Sequence, residues 1–390
     1  MHIVHVTRET GSDVRYGLRK SLLPVLNALE SRGHTVELFD QDRALQLTAS
    51  APLYKGAERL YLALLRRRYG AVSEFFLEFV RERLRVAWAA ARSFCREPAA
   101  YVHCHDPLLA HLFRRFDRCL GGRARWGYTQ HAFGRYVQSR EGINLPQSVQ
   151  KHLWSWELAA SQGADWVIVP SHSGLAEMQR EWGLLSPPSS WHMIPHARPV
   201  LQRSSGLNVR ERHAIGERPL IIAVGQLVPL KRFHLIIAAV AALPAELAVH
   251  LLILGNGPLE NSLHAFAASK GLEQRFHILP TDDVASYFAA ADIYVSTSST
   301  EAYGLANCEA LSAGLPAICT EVGAVAEVLA NGACLLAGPD DLAGNLLRLL
   351  ESSQERHSLA ERARSRAAQW LSAEQVALQL ENIYASARTD

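Results

Sequence analysis

The chain has 390 residues, 48% of them hydrophobic and 20% charged, with a formal net charge of +2. That length is too great for one ordinary core and predicts two domains of about 150–200 residues. The composition is that of a soluble globular protein, and no apolar run reaches the roughly 18–20 residues a spanning helix needs.

The small net charge hides an asymmetry. Residues 1–200 hold 26 Lys+Arg against 18 Asp+Glu, a net of +8, while residues 201–390 hold 14 against 20, a net of −6. A basic first half is expected to face something anionic. No zinc finger, recognition helix or aromatic RNA signature points to nucleic acid; a membrane surface or a phosphorylated acceptor fits better. The opening MHIVHVTRE has no basic region followed by an apolar core, so no secretion signal is read. Cysteines 95, 104, 119, 308, 319 and 334 form no C-x-x-C pair and read as reduced thiols in a cytoplasmic protein.

In chain order, HIVHV (2–6) and TVELF (35–39) read as strands, the first running into TRETGSDVRYG (7–17). Asp40-Gln41-Asp42 follows the second strand and reads as surface. Over 55–96, Lys55, Arg59, Arg66, Arg67, Arg68, Arg81, Arg83, Arg85, Arg92 and Arg96 interleave with Leu60, Leu64, Phe75, Phe76, Leu77, Phe79 and Val80. This predicts a helical region able to lie on anionic lipid, or else a solvated face over an ordinary core. YVHCH (101–105) is the next strand; His103, Cys104 and His105 alternate faces, which disfavours convergence on one metal. WVIVP (166–170) follows. The polar segment 198–219, ending in Pro219, reads as the linker. Beyond it come strands LIIAVG (220–225), LLILG (251–255), FHILP (276–280) and IYVST (293–297), separated by helical patterns at 234–243 and 259–271 and followed by a final helix near 373–387. Apolar strands alternating with helices predict parallel sheets covered on both faces, hence two doubly wound α/β domains.

The chemistry concentrates in the second half. VGQLVPLKRF (224–233) is strand, Gly225 turn, Lys231, helix; LGNGPLE (254–260) is strand, Gly255 and Gly257 turn, helix. Each glycine lets the backbone approach a phosphate or base, and Lys231 supplies positive charge for a diphosphate. In STEAYGLANCEALSAGLP (299–316) a strand runs through a loop holding Glu301 into a helix of small residues holding Glu309. Two carboxylates at that spacing suit the vicinal hydroxyls of a sugar and a ribose, and the N–H groups of Gly304 and Leu305 could face an anion. The alternative is a solvated Glu301 and a Glu309 paired with a distant arginine.

With these residues in place, the chain resembles the retaining GT-B glycosyltransferases of family four. The likeness is densest over 220–345: V-G-x-L with its lysine, L-G-x-G-P, the E-x7-E pair around A-Y-G-L, T-E-V-G-A-V-A-E (320–327) and N-G-A-C-L-L (331–336). The resemblance implies two Rossmann-like doubly wound parallel-sheet domains facing a central cleft: an acceptor domain, 1–200, and a nucleotide-sugar domain, 201–372, with helix 373–390 packing back on the first. It assigns Lys231 to the donor diphosphate, Glu301 to the transferred sugar, Glu309 to the ribose, Gly304 and Leu305 to sugar and phosphate, and Gly225, Gly255 and Gly257 to the nucleotide. YTQHAFG (128–134) resembles the strand end presenting a histidine, His131, to the donor sugar; Gly11 matches one of two loop glycines near the leaving phosphate; VHCHDP (101–106) matches a strand ending in H-D-P. Three departures stand out. Gln226 replaces the usual arginine that pairs with the lysine, with Arg232, where glycine is frequent, as a candidate to compensate. Ala324 replaces a second glycine after Gly323, and Pro195-His196-Ala197 replaces Pro-Asn-Gly. The implied reaction is hexosyl transfer with retention from a nucleotide-diphosphate sugar, without a required metal, to a saccharide or lipid-linked acceptor. Its expected setting is polysaccharide or lipopolysaccharide biosynthesis at the inner face of the cytoplasmic membrane. A sugar-nucleotide epimerase and a catalytically idle scaffold are the alternatives.

Overall fold

The structure, a computed structural model, describes all residues except 11–16, 70–73, 98–99, 135–144, 203–206, 330–331, 339 and 388–390. It divides into two compact units, Met1–His196 with Ala373–Asp390, and Ala197–Ser372. The polar segment 198–219 falls in the second unit rather than bridging the two. There Arg210, on the short helix Val209–Arg212, donates to Asp292 Oδ2 at 2.9 Å and to three backbone carbonyls.

The first unit is built on β1 (His2–Val6), β2 (Thr35–Phe39), β3 (Ala100–Cys104), β4 (Arg125–Thr129), β5 (Trp166–Val169) and β6 (Trp191–Met193). They form one parallel sheet in the order β2-β1-β3-β4-β5-β6. The second holds β7 (Leu220–Val224), β8 (His250–Leu254), β9 (Phe276–Leu279), β10 (Ile293–Ser296), β11 (Ala317–Cys319) and β12 (Leu335–Leu336). These are parallel in the order β12-β11-β10-β7-β8-β9. Helices on both faces bury the central strands: every residue of β3 and of β8 is buried, as their largely apolar sequences require.

The eight strands read from β-branched runs are present with ends shifted by at most one residue. Of the four that were not read that way, WHM, AIC and LL are two or three residues long, and RWGYT has a single β-branched residue, Thr129, at its end. The final helix, Ala373–Ser386, belongs to the first unit, where Tyr384 is fully buried and Glu381 pairs with Arg32.

One buried cluster fixes the end of β3. Asp106 caps helix Pro107–Cys119, its Oδ1 accepting from Leu108 N and Leu109 N at 2.9 and 3.0 Å. Pro107 occupies the first helical position, where a missing N–H loses nothing. The other carboxylate oxygen accepts from Arg83, itself fully buried, at 2.6 Å, and Arg83 also donates to Phe79 O and lies over the Phe79 ring. Arg83, with Arg8 further off, holds the Asp106 carboxyl well below its usual range against the opposing effect of burial. The H-D-P sequence therefore serves a strand-to-helix turn that sets His105 at the strand end.

Candidate active site

Open α/β sheets bind ligands beyond the carboxyl ends of the strands, at the point where strand order reverses. In the second unit that point lies between β7 and β10. The loop after β7 carries Gly225 and Lys231, and the loop after β10 carries Glu301 and Gly304. Lys231 Nζ donates to Glu301 Oε1 at 2.5 Å, and Ser298 Oγ donates to the same oxygen at 2.7 Å. Both charged side chains are largely sheltered, 22% and 13% exposed, so their attraction is less screened than at an open surface.

Gly304 enters the helix Leu305–Ser312 with φ 80° and ψ 56°, a left-handed conformation that favours glycine. A side chain there would also strike Asn307. The first turn of any helix leaves N–H groups without intrahelical partners and carries partial positive charge, so Gly304 and Leu305 open an anion-binding end. Leu305 and Glu309, four apart, share one helix face, and both are half-buried.

The two glycine turns are laced together by backbone. Leu227 N donates to Asn256 O at 2.9 Å and Leu259 N to Leu227 O at 3.1 Å. A Cβ on Gly255 would lie 1.9 Å from Gly225 O, and one on Gly257 would lie 2.7 Å from Leu227 N. Close packing of one turn on the other thus demands these glycines, whatever they border. Behind Glu301, Ala324 N donates to Glu301 O at 2.9 Å, and Gly323, at φ 54°, leaves room for that carbonyl. Ala324 itself has an ordinary φ of −90°, so its position needs no second glycine.

Arg232, the candidate to compensate for Gln226, is engaged by backbone. Its Nε donates to Thr297 O and its Nη2 to Ser298 O, both at 2.7 Å, tying down the loop that carries Glu301. It does so from a left-handed backbone, φ 49° and ψ 38°, which explains why glycine is an acceptable residue there. Gln226 is exposed. Ser298, Arg232 and Asn307 were not singled out by the sequence for these roles; Asn307, buried beneath Gly304, accepts from Tyr294 Oη at 2.8 Å. Single polar residues that bond to backbone or to one buried side chain carry no spacing signal that would have found these roles.

In the first unit the strand order reverses between β1 and β3, and histidines gather at those strand ends. His5 Nδ1 lies 3.0 Å from His105 Nε2, and His105 Nδ1 lies 3.0 Å from His131 Nε2. His103 stacks on His5 and His105 at 4.9 and 5.0 Å, and His196 stacks on His131 at 5.4 Å. His5, His103 and His105 are buried, whereas His131 and His196 are partly exposed. Burial disfavours the imidazolium and pushes His5 and His131 down to about 3 and His196 to about 4; His103 and His105 are likewise held well below 6.5. The row is neutral at physiological pH. The structure thus connects Gly225, Lys231, Gly255, Gly257, Glu301 and Gly304 within one unit and sets His131 in the other. Gly11 lies outside the described residues.

Residues 17–198 match the family described as Glycosyltransferase Family 4, and residues 207–366 match Glycosyl transferases group 1. An N-acetyl-alpha-D-glucosaminyl L-malate synthase from Bacillus anthracis is 27% identical over 182 residues, 45% of this chain and 48% of that protein. A lipopolysaccharide core biosynthesis glycosyltransferase, LpsE, from Rhizobium meliloti is 34% identical over 105 residues, 27% of this chain and 30% of that protein. The chain therefore spans half or less of the length of these curated relatives. Among solved structures, HepE from Anabaena in complex with UDP-glucose superposes with a TM-score of 0.68 at 16% identity, covering 99% of this chain and 100% of that one; at that identity the likeness shows the fold.

Proposed function

The chain belongs to glycosyltransferase family 4 and has the GT-B fold, and from that premise we propose that it moves a hexose-type sugar, with retention, from a nucleotide-diphosphate sugar to a saccharide or lipid-linked acceptor. The observation that carries this reading is the Lys231–Glu301 pair at the β7/β10 switch point beside the N-terminus of Leu305–Ser312. In this reading Lys231 and the N–H groups of Gly304 and Leu305 stabilise the departing diphosphate, charge development being what such preorganised donors act on. Glu301, held by Lys231 and Ser298, accepts from hydroxyls of the transferred sugar, and Glu309 accepts from the ribose. His131 donates to a hydroxyl of the sugar. Retention follows from attack on the face the diphosphate leaves, the phosphate oxygen taking the acceptor proton. Lys231 and the helix end supply the positive charge, so the reading needs no metal and expects turnover to persist in EDTA. HepE, crystallised with UDP-glucose, favours a uridine donor among those to be tried.

A thermal-shift panel of UDP, GDP, ADP and their sugars, on wild type and Lys231→Ala, tests the donor site. A ligand at about 100 times its Kd stabilises the folded state by about 2.7 kcal/mol. Stabilisation by one nucleotide family, abolished in Lys231→Ala, is expected. No stabilisation by any of them would instead favour an idle scaffold, and turnover of the donor without acceptor an epimerase.

The acceptor side of the proposal draws on the helix Pro52–Tyr69. Its inward face buries Tyr54, Leu62 and Leu65 and turns Glu58 toward Arg81 and Arg85. Its outward face exposes Leu60 at 64% and Leu64 at 53%, among exposed Lys55, Arg59, Arg66, Arg67 and Arg68. Apolar residues ringed by cations suit an anionic lipid surface, each basic residue near it contributing about 1 kcal/mol. This favours a lipid-linked saccharide, consistent with a lipopolysaccharide-core relative, handled at the inner face of the cytoplasmic membrane. Among the described residues no helix is long and apolar enough to cross a membrane. Co-sedimentation with phosphatidylglycerol vesicles, absent with pure phosphatidylcholine and weakened by Leu60→Ser with Leu64→Ser, is the expected result; equal recovery with neither vesicle would point to a soluble acceptor.

A further inference from the structure

The geometry points to His5 and His105 as positioning residues that lock His131 in one tautomer, making it a fixed hydrogen-bond donor through Nδ1. The inference deepens the reading given above for His131 and rests on it only for its kinetic consequence.

A neutral imidazole has one N–H and one lone pair. In the chain His5 Nδ1···His105 Nε2 and His105 Nδ1···His131 Nε2, each contact has to place a proton on one side. His105 uses both nitrogens, so fixing one contact fixes the other, and two arrangements remain. In the outward one, His5 and His105 donate from Nδ1, His131 Nε2 accepts, and the proton of His131 sits on Nδ1. In the inward one, His131 and His105 donate from Nε2, and the proton of His5 sits on its own Nε2.

The far end of the chain decides between them. His5 is fully buried, and its Nε2 has no hydrogen-bond partner among the described residues. The inward arrangement would bury an N–H with nothing to receive it; the outward one leaves an unused lone pair. A stranded buried donor is the costlier fault, so the chain runs outward. Its neighbour His103 is set by a different rule. Trp166 Nε1, which can only donate, reaches His103 Nδ1 at 3.2 Å, so His103 carries its proton on Nε2 and donates to Thr129 Oγ1 at 2.7 Å. Tyr384 Oη, 2.7 Å from the same Nδ1, is then a donor as well.

The consequence is chemical. With Nε2 engaged by His105 and Nδ1 protonated, His131 has no lone pair for a substrate proton. It serves a ligand oxygen that accepts, such as a sugar hydroxyl oxygen or a phosphate oxygen, and it does not act as a general base. The partly exposed His196 ring, stacked at 17° on His131, holds the ring plane in which that N–H points.

Long-range 1H–15N correlation spectra of the uniformly 15N-labelled full chain at pH 7.5 test this without any assay. His5, His105 and His131 are expected as Nδ1–H tautomers and His103 as the Nε2–H tautomer, the last serving as internal reference. Finding His131 protonated on Nε2, or on both nitrogens, would overturn the inference whether or not the enzyme is active. A His105→Phe variant extends the test. Its His131 should lose the single tautomer, and kcat/KM for the sugar nucleotide should fall about tenfold, the equivalent of one net hydrogen bond. His131→Ala separates the two readings: full activity in that variant, with the tautomer confirmed in wild type, would remove His131 from the donor site and leave the locked chain standing.

Discussion

At the level of single residues, the site carries less positive charge than its relatives' pattern leads one to expect. Gln226 is exposed on the turn after β7, and the neighbouring cation, Arg232, is held by the carbonyls of Thr297 and Ser298. In the proposed reading, Lys231 and the helix end are then left to bear the diphosphate charge. Restoring the arginine should add a charge-assisted contact, roughly 1.5 kcal/mol or more. Gln226→Arg is expected to tighten binding of the cognate nucleoside diphosphate by about tenfold, measured by calorimetric titration at constant salt. Unchanged affinity would mean that position 226 does not face the phosphates. The converse substitution, Arg232→Gly, suits the left-handed backbone and would test the tether rather than the charge.

At the level of elements, the sequence was legible where chemistry and backbone demands coincide. β-branched runs located eight strands, and E-x7-E located the helix entry, because both are set by local periodicity and by a glycine at φ 80°. Gly225, Gly255 and Gly257 were read as openings for phosphate or base. For Gly255 and Gly257 the nearer cause is turn-on-turn packing, which no single segment can reveal because it depends on atoms thirty residues apart in the chain. The histidine row was illegible for the same reason: His5, His105 and His131 come from three strand ends, and only the sheet order brings them together. A direct consequence concerns Gly255. An added methyl would meet the Gly225 carbonyl at 1.9 Å from a backbone at φ 159°, and backbone cannot yield as a flexible side chain can. Gly255→Ala is expected to destabilise the protein by about 3 kcal/mol, adding strain of 1–3 kcal/mol to displaced packing. Urea unfolding read by far-UV circular dichroism checks this, and a midpoint within error of wild type would show that the two turns can separate without loss.

At the level of the whole molecule, the buried imidazoles tie stability to pH in a predictable direction. His5, His103 and His105 are buried and held neutral, their folded values lying far below the ordinary 6.5. Between those two limits the unfolded chain binds protons that the folded chain refuses. Stability therefore rises with pH across that window; it is complete above about 6.5 and is lost as pH falls below it. Each imidazole contributes up to about 1.4 kcal/mol per pH unit, so three together should remove roughly 3–4 kcal/mol between pH 7 and 5.5. Asp106, depressed by Arg83, acts in the same direction, its stabilisation being lost as pH falls, but that loss begins only toward the carboxylate range near 4, below the window in which the histidines act. Seven of the eight tryptophans lie in the first unit, so tryptophan fluorescence reports mainly on the unit that holds the row. The urea midpoint by that signal is expected to drop steeply from pH 7 to 5.5, and His5→Phe should reduce the slope by about one proton. A midpoint flat across this range would mean that water or a counter-charge reaches the row, and that its imidazoles titrate in the folded protein much as they do in the unfolded chain.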